Sequence, residues 1–197
     1  MRYQPLTDII FDAWEKVCHH IADGHADEFT GRRKETLVFR RLREEIVQDW
    51  PSVRVIGPDM QATFGDWRID LVCIRGRERV VVEGKFKVLS DGAVPDNRKA
   101  AFFDLFKLER YVSSGEYSEG LFVWLTNKPQ YLKRASGDSS DFSTHQGRIY
   151  ESGTRLEARR ARDSHMPLPL TLIGRYEFSW QEVLPNAGWY SLVLKVR

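Results

Sequence analysis

Apolar residues recur every three or four positions in three segments of the chain, the spacing of one face of an α-helix. These segments span about residues 8–22, 32–49 and 98–113. Thr7 can cap the first helix, and Gly24 can stop it. The second should end at Trp50, because the residue before Pro51 is disfavoured in a helix. The pattern therefore predicts three amphipathic helices.

Other segments are continuously apolar or alternate between apolar and polar residues, which is typical of β-strands. They span about residues 53–56, 67–74, 79–88 and 120–126, with two more at 170–180 and 189–196. The run 120–126 is apolar on both faces, which predicts a central, parallel strand. Together with the helices, these strands predict an α/β fold with a mixed sheet flanked by helices. The last two strands could extend this sheet or form an extra C-terminal β-hairpin.

The sequence Arg75-Gly76-Arg77-Glu78 separates two of the predicted strands and suits a two-residue type II′ turn. With Gly76 and Arg77 in the loop, Asp70 lies opposite Glu83, with Cβ atoms roughly 5 Å apart. Lys85 follows Glu83 by two residues and so points to the same face. The turn therefore predicts two carboxylates and an ammonium group clustered on one face of a hairpin.

Two carboxylates placed opposite each other repel, unless a cation or a shared proton relieves them. A divalent metal ion would do so. The structural alternative is an ordinary strand face on which Lys85 neutralises the acids. Against this alternative, the buried run Val80–Val82 leads directly into the charged positions, and burying charge is costly.

An acid on one strand, followed by Glu-x-Lys on the next, resembles the PD-(D/E)xK nuclease superfamily with its restriction-endonuclease-like fold. Asp70 matches the first acid, Glu83 the second and Lys85 the lysine, while Ile69 stands where the family's proline often precedes the acid. The order helix, three strands, helix, strand matches the core of that fold over about residues 30–127. The resemblance implies a single domain, 1–197, in which residues 128–197 elaborate the core.

What the resemblance implies for function is Mg²⁺-dependent hydrolysis of phosphodiester bonds, with Mn²⁺ as a substitute and DNA as the favoured substrate. Asp70 and Glu83 would hold the metal, and Lys85 would orient the attacking water. An acid from the first core helix often completes the metal site in this family. Glu35 is the best-placed candidate, because it shares a helix stripe with Val38 and Leu42, whereas Glu45 is its rival. Restriction, defence or DNA repair would be suitable roles.

The net charge of +2 over 197 residues excludes binding of polyanions through overall charge alone. Local clusters of arginine are better candidates for phosphate contacts. We expect one cluster in a short basic helix over residues 155–162, and it comprises Arg155, Arg159, Arg160 and Arg162. A second lies on the polar side of the second helix, at Arg32, Arg33, Arg40, Arg41 and Arg43. Glutamates offset the second cluster more strongly, so the first is favoured.

The remaining features narrow the location and the chemistry. No apolar stretch reaches the roughly 18 residues of a membrane span, and the N-terminus lacks a signal-peptide pattern, so we expect a cytoplasmic protein without membrane contact. Cys18 and Cys73 are expected to be buried thiols. His19 and His20 are adjacent on a helix and point about 100° apart, which argues against a metal site there.

Two questions stay open at the level of sequence. A monomer with one site would cut one strand at a time, so double-strand cleavage would require a homodimer. The alternative to an enzyme is an inactive module that keeps the nuclease fold and binds nucleic acid or a protein partner.

Overall fold

The computed structural model of the protein describes residues 3–58, 62–64, 67–157 and 168–197. Three long helices are found, and they span Leu6–His20 (α1), Lys34–Asp49 (α2) and Val94–Ser113 (α3). All three were predicted, with ends that differ by up to four residues. Thr7 does not cap α1. The helix begins at Leu6, two residues before the predicted start, and Thr7 is buried in its first turn.

Twelve strands are found in the described ranges. In chain order they are Arg54–Ile56 (β1), Ala62–Phe64 (β2), Trp67–Ile69 (β3), Leu71–Arg75 (β4), Glu78–Lys87 (β5), Glu119–Thr126 (β6), Arg148–Tyr150 (β7), Arg155–Leu156 (β8), Leu170–Thr171 (β9), Tyr176–Phe178 (β10), Gln181–Glu182 (β11) and Tyr190–Val196 (β12). Six of them form the central sheet in the order β1-β4-β5-β6-β12-β11. Only the β5–β6 pair is parallel, so the sheet is mixed, as predicted.

The hairpin register agrees with the prediction from the turn. Ile74 pairs with Arg79, and the ladder continues to Leu71 opposite Val82. Gly76 adopts a φ of +60° in the loop, a conformation that glycine adopts without the steric cost of a Cβ atom. Asp70 is the next residue after the ladder ends, at a bend between β3 and β4. The polypeptide therefore leaves the sheet at the candidate acid itself.

Helices cover both faces of the sheet. α1 and α2 pack on one face, against residues such as Cys73, Val82 and Phe86. α3 packs on the other face, where it meets Val81 and Trp124. Because side chains alternate along a strand, Glu83 and Lys85 share the α3 face with Val81. This alternation brings the candidate site under α3.

Gly84 lies between the two candidate site residues on β5, where the strand passes close to its neighbours. A Cβ atom at this position would lie 2.3 Å from the carbonyl oxygen of Val123 and 3.1 Å from Cζ of Phe39. Neither contact is tolerable without a shift of the backbone or of the aromatic ring. The glycine therefore permits the close approach of β5 to β6 and α2.

The C-terminal part of the chain is more divided than predicted. The strand expected over residues 170–180 is broken into β9 and β10, which belong to two different two-stranded sheets, and residues 179–180 are not part of a strand. β12 pairs along its whole length with β6, so the C-terminal strand extends the central sheet, and β11 continues it as a hairpin. The helix expected over residues 155–162 is wrong at its start, because Arg155 and Leu156 form β8; the rest lies outside the described residues.

Candidate active site

The candidate site lies where β4 and β5 separate. Beyond Val82, no strand among the described residues pairs with the edge of β5 that faced β4, and the N–H groups of this edge need other acceptors. The Gly84 N–H donates to Oδ2 of Asp70 at 3.1 Å. Two residues further on, the Phe86 N–H donates to Oε1 of Glu35 at 3.2 Å. Two carboxylates thus take over the backbone hydrogen bonds of this edge.

This arrangement relates Glu35 to Asp70. Their two N–H partners are about 6.7 Å apart along the strand, so both carboxylates lie along the same short stretch of edge. Glu35 also accepts from Lys87 Nζ at 2.8 Å. The structure therefore places Glu35 beside the hairpin acids, paired with Lys87. Its rival Glu45 is ten residues along α2, about 15 Å away, and is paired with Arg41 at 2.6 Å.

Helix α3 contributes three residues that the sequence did not single out. Lys107 Nζ lies 2.9 Å from Oε2 of Glu83 and 2.9 Å from Oδ1 of Asp104. Asp104 also forms an ion pair with Lys85 through its other oxygen. The Tyr111 hydroxyl lies 3.5 Å from Oε1 of Glu83. The helix thus adds one carboxylate, one ammonium group and one hydroxyl to the strand residues.

The sequence carried a signal for these residues. Asp104, Lys107 and Tyr111 are three and four positions apart, which places them on one helix face. That face overlaps the predicted buried stripe of Ala101 and Leu105. Asp104 and Lys107 form a polar pair beside a buried stripe, and they could have been recognised as ion-pair partners of the buried Glu83 and Lys85. Asp104 and Lys107 are in fact buried, with 5% and 8% of their surface exposed.

Charge in this cluster does not balance. Three carboxylates, of Asp70, Glu83 and Asp104, share the site with two ammonium groups, of Lys85 and Lys107. Burial, followed by the charge of Asp104, raises the pKa of Asp70, while Lys85, the Gly84 N–H and Lys107 oppose the shift, and the resulting pKa is about 6. Burial, followed by the charges of Asp70 and Asp104, raises the pKa of Glu83 well above its usual range. Asp70 and Glu83 are therefore short of positive charge.

The two lysines respond in the opposite way. Burial acts to lower the pKa of Lys85, but the charges of Asp104 and Glu35 outweigh it and raise that pKa above its usual value. Lys107 is affected similarly by Asp104 and Glu83. Burial also works against ionisation of Asp104, yet the two lysines hold its pKa below the ordinary value. Lys85 is consequently a permanent cation that can donate hydrogen bonds but cannot serve as a base near neutral pH.

Replacing Asp70 with asparagine should stabilise the metal-free protein above pH 6. The pKa of Asp70 is about 6 in the folded chain and near 3.9 in an unfolded one, so the folded state binds the proton more tightly. Ionisation of Asp70 then costs stability as the pH rises from about 4 through 6, and the cost persists above that range. We expect Asp70→Asn to gain about 3 kcal/mol at pH 7.5 and little at pH 4.

Urea unfolding in EDTA at both pH values measures this difference. Asp96→Asn, at an exposed position on α3, is the matched control and should follow the wild type. An Asp70→Asn protein that is less stable than the wild type at pH 7.5 would contradict the assigned environment.

The predicted nucleic-acid contacts are only partly described. Arg155 projects from β8 with 63% of its side chain exposed, and its Nε lies 2.8 Å from Oε1 of Glu157. The other three arginines of that cluster, Arg159, Arg160 and Arg162, lie outside the described residues. In the competing cluster on α2, Arg41 is paired with Glu45 and with Glu44. Arg155 is thus an exposed cation with one acidic neighbour.

Comparison with known proteins does not assign the chain. No family model matches it, and neither the curated proteins nor the solved structures contain a significant match. The function must therefore be inferred from the site itself.

The described part of the chain also bears on membranes and cysteines. None of the helices in the described ranges has the length and apolar character that crossing a bilayer requires. Cys18 and Cys73 are both free and buried, as predicted.

Proposed function

We propose that this protein is a metal-dependent nuclease of the PD-(D/E)xK type, with a restriction-endonuclease-like core, that hydrolyses phosphodiester bonds in DNA. One observation carries the proposal. Asp70 and Glu83 lie together with raised pKa values at the end of a β-ladder, and the charged Lys85 follows on the same face. Carboxylates that lack sufficient positive charge beside a fixed cation are suited to a divalent ion and a phosphate.

The donor groups fit Mg²⁺ or Mn²⁺. Both ions prefer hard oxygen ligands, and Mg²⁺ is usually bound through one or two carboxylates together with phosphate oxygens and water. Asp70 and Glu83 would hold the ion, and Glu35 would hold it directly or through a water from the neighbouring position on the strand edge. When bound, the ion would polarise the phosphoryl oxygen and acidify a coordinated water.

The lysines have separate tasks in this proposal. Lys85 would orient the attacking water and stabilise the negative charge that develops on the phosphate. Asp104 restrains Lys85 through their ion pair, so Asp104 acts as a positioning residue. Lys107 neutralises Glu83 and would compete with a metal ion for that carboxylate. A metal ion could therefore bind Glu83 only if Lys107 shared this carboxylate with the ion or moved away from it.

The substrate and its setting follow from the same chemistry. Arg155 and the three further arginines of its segment would neutralise DNA phosphates, since one guanidinium group can bind two phosphate oxygens at once. Cutting both strands would require two copies of the site, as in a homodimer. We expect the enzyme to act in the cytoplasm, where its buried thiols remain reduced.

A cleavage assay with purified protein tests the proposal. Supercoiled plasmid, linear duplex, single-stranded DNA and RNA are incubated in Mg²⁺, in Mn²⁺ and in EDTA. We expect cleavage of a DNA substrate in either metal and none in EDTA. Absence of cleavage in both metals, together with absence of metal binding in calorimetry, would overturn the proposal.

A second candidate function rests on the ion pairs of the site. Lys107 satisfies Glu83, and Lys85 satisfies Asp104, which is also the arrangement of a purely structural charged cluster. The protein would then be an inactive module that binds nucleic acid or a protein partner. This candidate predicts salt-sensitive binding to DNA that is unaffected by Mg²⁺, without cleavage. It also predicts no gain in thermal stability on adding metal, because only a ligand of the folded state stabilises it.

A further inference from the structure

The end of α1 brings together three side chains that the proposed nuclease reaction does not use. After His20 the chain turns through Ile21–His25, where Asp23 (φ −80°, ψ 20°) and Gly24 (φ 103°, ψ 3°) depart from helical geometry. Residues five apart are about 140° apart around a regular α-helix, so this break, at a glycine that tolerates a positive φ, allows His25 to return to the side of His20. The turn stacks the ring of His25 on that of His20, with centroids 4.2 Å apart and planes 9° apart.

Glu28 closes the group from the next turn, a 3₁₀ helix spanning Ala26–Glu28. Its Oε2 lies 3.1 Å from Nε2 of His20, and its Oε1 lies 2.8 Å from Nδ1 of His25. One ligand atom from each of the three residues can be chosen so that all lie within 4.8 Å of one another. This is a compact set of two imidazole nitrogens and one carboxylate.

We propose that His20, His25 and Glu28 form a second metal site, which binds a divalent transition-metal ion such as Zn²⁺. Zinc bonds to histidine nitrogen and carboxylate oxygen at about 2.0–2.2 Å, so tetrahedral donors are about 3.4 Å apart. The two carboxylate–imidazole separations, 3.1 and 2.8 Å, are comparable to this value, and the three ligand atoms lie within 4.8 Å of one another. Two imidazoles select Zn²⁺, Co²⁺ or Ni²⁺ over Mg²⁺, which prefers oxygen ligands.

One side of the site packs against the hydrophobic core, and the other side is exposed to solvent. The ring of His20 packs edge-on against Phe29, at 6.2 Å between centroids, and Phe29 is a core residue. His25 and Glu28 are about half exposed, so ions can reach the site and water can fill further coordination positions. A bound ion would fasten the turn at residues 21–28 to the end of α1.

Sequence spacing gave no indication of this arrangement. His19 and His20 are adjacent and diverge on the helix, which led to the prediction that no metal binds here. The structure brings His20 to His25 instead, through the break in the helix at Asp23 and Gly24. In the described part of the chain this is the one group of at least three histidine, cysteine or carboxylate residues whose ligand atoms all lie within 4.8 Å of one another.

Zinc binding by tag-free protein, previously stripped with EDTA, tests the proposal. We expect calorimetry to show one Zn²⁺ per chain and Co²⁺ to give visible d–d absorption on the same residues. His25→Ala and Glu28→Gln should each weaken Zn²⁺ binding more than tenfold. His19→Ala, one position from the site and exposed, is the matched control and should bind within twofold of the wild type.

Three outcomes would overturn the site. The first is absence of stoichiometric Zn²⁺ binding by the wild type. The second is unchanged Zn²⁺ affinity in both His25→Ala and Glu28→Gln, with unfolding curves in EDTA matching the wild type. Zn²⁺ binding should survive Asp70→Asn, which separates this site from the proposed nuclease centre. Loss of Zn²⁺ binding in Asp70→Asn would place the ion at the acidic site and would also contradict the proposal.

Discussion

Lys85→Met is expected to lower the rate of metal-dependent DNA cleavage by about 10²- to 10³-fold, the usual effect of removing one donor that stabilises developing negative charge. Methionine keeps an unbranched side chain that is one atom shorter and removes the ammonium group. Metal affinity should be unchanged or higher, because a cation beside Asp70 and Glu83 has been removed. The loss should therefore fall on the single-turnover rate at saturating Mg²⁺.

The matched control is Lys195→Met, another lysine on a strand of the central sheet, whose Nζ lies 3.5 Å from Asp8 at the surface. It should cleave at the wild-type rate. Circular dichroism and thermal unfolding would verify that both variants are folded. Cleavage by Lys85→Met within threefold of the wild type would remove Lys85 from the reaction.

Asp104→Ala is expected to lower the free energy of unfolding by about 3–5 kcal/mol, as happens when one partner of a buried ion pair is removed. Asp104 holds two buried lysines, Lys85 and Lys107, and the alanine would leave Lys85 without this partner. The effect should be smaller for Asp104→Asn, which keeps a hydrogen-bond acceptor at the same place. Equilibrium unfolding in urea at pH 7.5 measures both.

Asp96→Ala provides the comparison on the same helix. Asp96 also faces a lysine three residues on, Lys99, but its side chain is 65% exposed and the two charged atoms are 3.8 Å apart. Exposed pairs contribute about 0–1 kcal/mol, so this variant should remain within about 1 kcal/mol of the wild type. If Asp104→Ala proved equally mild, the ion-pair network under α3 would not be the buried structure described above.

The central hairpin could be predicted from sequence because a two-residue turn determines its own register. Gly76 and Arg77 define which residues face each other, and alternation then places Lys85 on the face of Glu83. The three helices could be predicted equally well, since each carries a periodic apolar stripe. These are local patterns, and the physical rule that governs each acts over a few residues.

The features that escaped prediction depend on contacts between distant segments or on irregular backbone. Asp104 and Lys107 become site residues only because α3 crosses β5 at Glu83 and Lys85, a docking that no local pattern specifies. The meeting of His20 with His25 depends on the non-helical turn at Asp23 and Gly24. The position of β12 beside β6 depends on the competition among sheet edges, which involves the entire fold.

Glu35 lies between these two cases. Helical phase alone placed it on the face of α2 that meets the sheet, and it does lie there, bound to the Phe86 N–H. The sequence could not show that Lys87 would pair with it. To bind a metal ion in the proposed reaction, Glu35 would have to exchange its ion pair with Lys87 for the ion.

The most direct test of the proposed nuclease centre is the single-turnover cleavage rate of Asp70→Asn in saturating Mg²⁺, measured beside the wild type on the same DNA substrate. This variant is expected to be at least as stable as the wild type at pH 7.5, so unfolding cannot explain a loss of activity. We predict that cleavage falls by about 10³-fold or more, because a ligand of the ion has lost its charge. Cleavage at the wild-type rate would contradict the assignment of Asp70, and with it the proposed site.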